Sequence, residues 1–344
     1  MTDLSTGRAV RLHQRAFSGL LQQRVLIALV LLILFGALRY DHFLGLFNVL
    51  SVLSYNSMFA LTALGMAFVI MSGGIDLSVG ATAALASVLS ALASHYGLVA
   101  GLAAGVAGGL AVGCINGLVV TRLKILPFIA TLAGMLAANG TALLAAQNQT
   151  VGASYDTAFT QIGLGDFLGF PIPGWIAAIA YVLGSVLLNL TGFGRNVLAV
   201  GGNTEAARLM GLPVERVTFL VYVMSGALAG LAGVILAATS GAGQPNEGVG
   251  WELFSIAAVV VGGTLLTGGL GYVGATLSGV LLLGLVFNIL NFENGMGWIS
   301  LSAYWQSVIR GAFLFIVVIA GSGFGKRFTR VAAQNDPPPA ATAG

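Results

Sequence analysis

Long apolar runs alternate with short polar breaks along most of the chain. A run of about 20 largely apolar residues has the length a helix needs to cross a bilayer. Ten such runs can be laid out, at residues 25–38, 49–71, 78–95, 98–120, 127–147, 175–190, 217–239, 254–266, 272–290 and 304–321. The first, sixth and eighth are short, and 254–266 also fits part of a broken or re-entrant helix. The pattern predicts an all-α polytopic membrane protein of about ten transmembrane helices. It divides into a cytoplasmic N-terminal segment at 1–24, a transmembrane domain at 25–321 and a cytoplasmic, disordered tail at 322–344.

Composition agrees with that reading. Only 7% of the 344 residues are charged and 57% are hydrophobic, whereas soluble domains carry about 25% charged residues. With 14 basic and 11 acidic side chains there is too little charge to cover a water-exposed surface. A soluble enzyme, a nucleic-acid binder and a disordered chain are thereby excluded. The distribution of charge says more than its formal sum of +3. Ten spans threaded from a cytoplasmic N-terminus place Arg8, Arg11, Arg15, Arg24, Arg122, Lys124, Arg195, Arg208, Arg216, Lys326, Arg327 and Arg330 inside. Only Arg39 and Arg310 fall outside, as the cytoplasmic bias of Lys and Arg requires. An odd number of spans would move Lys326, Arg327 and Arg330 outside, so both termini are expected in the cytoplasm. The basic start also suits a signal peptide, but no small-x-small cleavage site follows Leu38, and an uncleaved first span is expected.

Candidate chemistry is sparse. Cys114 sits in an apolar run, and His13, His42 and His95 are far apart, so no metal site is expected. The stretch 320–327 lacks both the first glycine and the hydroxyl residue of a phosphate-binding loop, so no nucleotide site is expected on this chain. Ionisable residues in the spans are nearly absent. Asp76, in the turn that also holds Gly73, Gly74 and Ser78, reads as part of a helix N-cap at the start of the third span. Arg310 is either an interfacial anchor or a partner of Glu252 or Glu293 beside a solute route. Asn56, Asn116, Asn139, Asn189 and Asn288 either bond neighbouring helices or line a polar path. The candidates for that path are Asn56, Asn139, Glu252, Asn288 and Arg310. With neither buried carboxylates for ion coupling nor a nucleotide site, uphill transport would have to be powered by another subunit.

Gly101, Gly105, Gly109, Gly113 and Gly117 recur every four residues, on one helix face that lets a neighbouring backbone approach. Gly226 and Gly230 repeat the device beside Ser225, Ala229 and Gly233. Both packing within the chain and a subunit interface fit these stripes. Gly73-Gly74 followed by Val79-Gly80-Ala81-Thr82 is echoed by Gly262-Gly263 followed by Val273-Gly274-Ala275-Thr276, which leaves an internal repeat open. Two loops are long. The outer one, 148–174, carries Asp156, Asp166 and a Pro171-Ile172-Pro173 turn. The inner one, 191–216, holds Arg195, Glu205, Arg208, Glu215 and Arg216. Within it, 204–212 reads as a short helix with Thr204 as N-cap, Glu205 in the first turn, Arg208 later and Gly211 near its end. Such a helix either lies on the membrane surface or docks into a groove on a partner.

The stretches 72–80 (SGGIDLSVG), 125–135 (ILPFIATLAGM), 201–212 (GGNTEAARLMGL), 222–233 (YVMSGALAGLAG) and 252–269 (ELFSIAAVVVGGTLLTGG) resemble the permeases of bacterial monosaccharide ABC importers, such as those for ribose, arabinose, xylose, fructose and galactofuranose. The resemblance runs in order from about residue 26 to 321. It implies an ABC-importer permease fold in the bacterial inner membrane, and a subunit that is not itself an enzyme. It implies four kinds of partner: a second permease copy or sister permease, a periplasmic sugar-binding protein, membrane lipid, and a cytoplasmic ATPase with two fused nucleotide domains. ATP and magnesium would be bound by that ATPase and no cofactor by this chain. By position, 202–213 would be the coupling helix, with Gly202, Asn203, Glu205, Ala206, Arg208, Met210 and Gly211 facing the ATPase. The family commonly has an aspartate after Glu-Leu where this chain has Phe254, while Glu252 is retained. Residues 302–306 (SAYWQ) resemble the family's aromatic segment before the last span, and 291–293 (NFE) are more similar to the galactofuranose branch than to the ribose branch. The sugar is left open. An ion-coupled secondary carrier is disfavoured by the missing buried acid or base, a facilitative channel by the lack of a filter segment, and an intramembrane enzyme by the lack of any catalytic arrangement.

Overall fold

The computed structural model describes residues 25–296 together with 305, 308, 309, 311, 312 and 315. The segment 1–24, most of the expected span 304–321, the tail 322–344 and the candidate Arg310 lie outside the described residues.

Among the described residues, nine apolar helices coincide with the first nine runs. Six are long and apolar enough to cross a membrane: α2 (Leu46–Met71), α4 (Leu98–Thr121), α5 (Pro127–Ala145), α7 (Ile172–Leu190), α10 (Val214–Ser240) and α12 (Val273–Met296). Three are shorter: α1 (Val25–Arg39), α3 (Val79–Ser94) and α11 (Trp251–Val261). The 11 residues of α11 extend about 16 Å at 1.5 Å per residue, half of a ~30 Å hydrocarbon layer. The half-helix alternative therefore fits it better than a full span. Between these elements lie α6 (Gln161–Leu164), α8 (Gly192–Gly202) and α9 (Thr204–Leu209). Two small antiparallel ladders close the irregular segments. In one, β1 (Val151–Gly152) pairs with β4 (Ala242–Gly243); in the other, β2 (Asp166–Phe167) pairs with β3 (Phe170–Pro171).

Several expected boundaries move for identifiable reasons. The Pro171-Ile172-Pro173 stretch opens α7 rather than forming a loop, because proline in the first helical turn gives up only an amide that the helix does not use. The inner segment 191–216 is mostly helical. Val197 and Val200 of α8 are buried, and that packing outweighs the low helix propensity of its glycines.

Two helices form the centre. α2 is buried continuously from Asn56 to Met71, and α10 is buried along most of its length. Around α2 pack α7, α10, α11 and α12, while α10 also packs on α3 and α4. The glycine stripe of α4 meets α10 of the same chain: Gly109 abuts Gly226 and Gly230, and Gly113 abuts Tyr222 and Gly226. The stripe is therefore internal packing. The echoed double glycines also share a turn. Gly73 (φ 87°) and Gly263 (φ 89°) both occupy the left-handed region that L side chains avoid. Their amides bond Ile70 O and Val260 O, at 2.9 Å each, and the following amides of Gly74 and Thr264 reach back to Val69 O and Val259 O.

A Cβ on Gly109 would lie 2.6 Å from the Gly230 Cα, whereas one on Gly140 of α5 meets open space. Gly109→Leu should therefore cost about 1–3 kcal/mol or more, read as a lower unfolding midpoint in lipid nanodiscs, with little change for Gly140→Leu. Equal midpoints would refute the packing assignment.

Candidate functional site

The site begins at α9, which projects from the helical body between α8 and α10. Its N-cap is Asn203 rather than the expected Thr204. Asn203 is extended (φ −161°, ψ 103°), and its side chain accepts the Ala206 amide at 2.9 Å. The Thr204 hydroxyl instead donates back to Val200 O at 2.9 Å. An amide side chain caps as well as a hydroxyl does, so sequence alone could not separate the two neighbours. Ala207 faces inward, while Leu209 (88% exposed) and Met210 (68% exposed) form an apolar tip. Arg208 spans two carboxylates, with Nη2 2.8 Å from Glu215 and Nη1 3.5 Å from Glu205. These exposed pairs hold a side chain more than they add stability.

Beneath the tip, backbone meets backbone. A Cβ on Gly201, in the last turn of α8, would overlap the Met71 carbonyl oxygen and lie 2.7 Å from the Gly269 nitrogen. The Gly269 amide donates to that same Met71 carbonyl at 2.9 Å. Gly268 packs on Gly73, and Gly269 on Gly202. The base of α9 is thus in contact with the α2–α3 turn and the α11–α12 turn at once.

The α2–α3 turn is itself clamped. Asp76 is 1% exposed, so the expectation of virtually no buried carboxylate needs correction here. Oδ1 accepts the Ser78 amide (3.0 Å) and the Ser78 hydroxyl (2.6 Å), and Oδ2 accepts the Ser225 hydroxyl (2.8 Å). Ser78 stands at the N-cap position of α3 without capping through its hydroxyl, which Asp76 occupies. Asn116 of α4 donates to that hydroxyl at 2.8 Å. Burial pushes the Asp76 carboxyl above its ordinary range, while the hydrogen bonds from Ser78 and Ser225 pull it back. Thr131 of α5 accepts the Leu77 amide at 3.1 Å. The turn is thereby bonded to α4, α5 and α10. A buried carboxyl is tolerated only when its oxygens are satisfied, and here all the donors come from the surrounding helices and the turn itself. Ser225 as a partner of Asp76, Asn116 as a partner of Ser78 and Thr131 as a partner of Leu77 escaped sequence reasoning. The three stand at unrelated positions along the chain, and no periodicity connects them to residue 76.

The candidate path residues do not converge. Asn56 and Asn288 share the seam between α2 and α12. Asn56 donates to Val52 O at 2.7 Å and fills the space left by Gly284, while Asn288 exchanges amide hydrogen bonds of 2.9 and 3.2 Å with Asn48. Both act as helix-to-helix or helix-local bonds. Asn139 is on α5, which packs against α3 and α4, and its Oδ1 is buried without a hydrogen-bond partner. Glu252 opens α11 beside Gly80 of α3. Phe254, at the position where an acid was considered, stacks on Phe59 (4.4 Å) and Phe287 (5.5 Å) in the core.

Residues 48–318 match the family described as "Branched-chain amino acid transport system / permease component". The ribose import permease protein RbsC of Bacillus subtilis is 40% identical over 313 residues, covering 90% of this chain and 94% of that protein. The L-arabinose transport system permease protein AraH of Escherichia coli is 38% identical over 300 residues, covering 87% and 89%. RbsC of Escherichia coli is 36% identical over 309 residues, covering 87% and 93%. No solved structure matches the chain significantly.

Adjacent glycines separate the junction from mere helix propensity. Gly201→Ala drives a methyl group into the Met71 carbonyl, whereas a Cβ on Gly202 meets only the Gly269 Cα at 3.8 Å. The first should lower stability by about 1–3 kcal/mol and the second by less than about 0.5 kcal/mol, measured as unfolding midpoints. Similar losses in both would argue against a backbone junction.

Proposed function

The chain belongs to this permease-component family, and we propose that it is the membrane-spanning subunit of an ATP-driven importer of a monosaccharide. It is a transport permease subunit and not an enzyme. Similarity over 87–90% of the chain to ribose and arabinose permeases supports the solute class. The observation that carries the mechanism is the exposed Leu209–Met210 tip seated on the Gly201–Gly269 junction.

In this reading the chain crosses the bacterial inner membrane ten times, with α11 as the helical half of one broken crossing, both termini lie in the cytoplasm, and α9 lies on the cytoplasmic face. ATP and magnesium are held by a partner ATPase with two fused nucleotide domains, into which α9 inserts. Sugar arrives from a periplasmic binding protein, and a second permease copy or a sister chain completes the pathway. Movement of the ATPase displaces α9, and because its base touches two interhelical turns through main-chain atoms, the displacement reaches α2, α3, α11 and α12 together. The Asp76 network carries it on to α4, α5 and α10 through Asn116, Thr131 and Ser225. α10, with 27 residues, spans about 40 Å and so connects this end of the molecule to the opposite one.

Arg208→Glu places a third carboxylate beside Glu205 and Glu215. In proteoliposomes containing the ATPase and a loaded binding protein, it should reduce the stimulated ATP hydrolysis about tenfold, the equivalent of ~1.4 kcal/mol, in protein that still inserts. Wild-type stimulation in that variant would count against α9 as the coupling element, and a wild-type complex that takes up no monosaccharide would overturn the importer reading itself.

A further inference from the structure

At the end of the molecule remote from α9, the chain leaves α5 at 146–150 and leaves α10 at 241–247. The β1–β4 pairing (Val151 with Gly243, Gly152 with Ala242) ties the two exits together. Between them lies a pocket of about 290 Å³, lined by Asn148, Gln149, Thr150, Gln244, Asn246 and Glu247 together with Pro245. The pocket falls just below the range of drug-sized ligand sites, about 300–1,000 Å³, a size suited to a single small sugar. Its lining is one-sided in chemistry: four carboxamides, one hydroxyl and one carboxylate, with no cation and no aromatic ring.

The walls are set by the fold. Gln147 (φ 50°) and Asn148 (φ 56°) adopt left-handed backbone conformations at the α5 exit. On the other side the Gln244 amide donates to the buried Ser87 hydroxyl of α3 at 3.1 Å, which fixes that segment to the helical body. A contrasting cavity of about 580 Å³ between α2, α7 and α10 is lined by Leu64, Phe68, Ile179, Leu183 and other largely apolar side chains, and offers almost nothing to a polar solute.

We infer that the pocket is a receiving subsite for a monosaccharide, in which the side chains of Asn148, Gln149, Gln244, Asn246 and Glu247 hydrogen-bond the hydroxyl groups of a sugar entering the permease. Each sugar hydroxyl donates one hydrogen bond and accepts others. Carboxamides match both roles and a carboxylate accepts from two adjacent hydroxyls. An anionic solute would meet Glu247 with no compensating cation, and an apolar one would strand six polar side chains. That the ligand is the transported sugar rests on the importer reading; the polyol chemistry of the pocket does not.

The test is saturation-transfer NMR on the full chain in lipid nanodiscs, free of sugar-based detergent, with D-ribose, L-arabinose and D-xylose as probes. Wild type should transfer saturation to these sugars. Gln244→Ala combined with Asn246→Ala should weaken binding about three- to tenfold for each hydrogen bond lost. Glu247→Leu should act likewise while Glu247→Gln retains most of the signal. If the double variant fails to fold, Gln149→Ala, which removes one carboxamide from the exposed rim, replaces it and should still weaken the signal. No transfer to any of the three sugars in wild type, or equal transfer in the folded variants, would overturn the subsite. Uptake by the reconstituted wild-type complex is measured separately, so sugar contact without uptake would sink the importer reading and leave the pocket standing.

Discussion

The arrangement depends on main-chain atoms touching main-chain atoms beneath α9. Gly201 leaves no room for a methyl group against Met71 and Gly269, and Gly268 and Gly269 close on Gly73 and Gly202. Side-chain contacts can slip between rotamers, but a backbone junction has no such slack, and packed interiors transmit displacement because they compress little. This makes α9, the α2–α3 turn and the α11–α12 turn one mechanical piece. The hydrogen bond from the Gly269 amide to Met71 O gives that piece its register.

The second constraint is the buried carboxyl of Asp76. Its satisfaction draws Ser225 from α10 and, through Ser78, Asn116 from α4, so the turn cannot move without disturbing both helices. All five family-like stretches read in the sequence contribute to this junction, through Asp76, Thr131, Gly201, Ser225 and Gly269. Five stretches spread over nearly 200 residues thus meet around two neighbouring turns.

Much of this was legible beforehand, and the failures follow a physical pattern. Apolar runs located nine helices because burial in lipid or among helices demands length, and the four-residue glycine spacing foretold close packing that α10 then supplied. Asn203 displaced Thr204 as cap because both residues can do the job and only the backbone decides. α8 was hidden by its glycines, since propensity speaks against a helix that Val197 and Val200 hold by packing. The role of Asp76 was legible only in part: its place at a helix start is local, but its bond to Ser225 is formed across 149 residues. The asparagines Asn56, Asn139 and Asn288 shared one sequence signature and separated in space, because intramembrane amides serve helix contacts as readily as a polar path.

The most direct test of the junction is a distance. With Cys114 replaced by serine, spin labels at Met210→Cys in the α9 tip and Thr267→Cys in the α11–α12 turn report their separation by electron double resonance in the assembled importer. Between the nucleotide-free and vanadate-trapped states, in protein that still transports, this separation should stay constant within about 2 Å. A change on the order of one helical turn, ~5 Å, would show that α9 slides over the turns instead of carrying them, and would contradict the account.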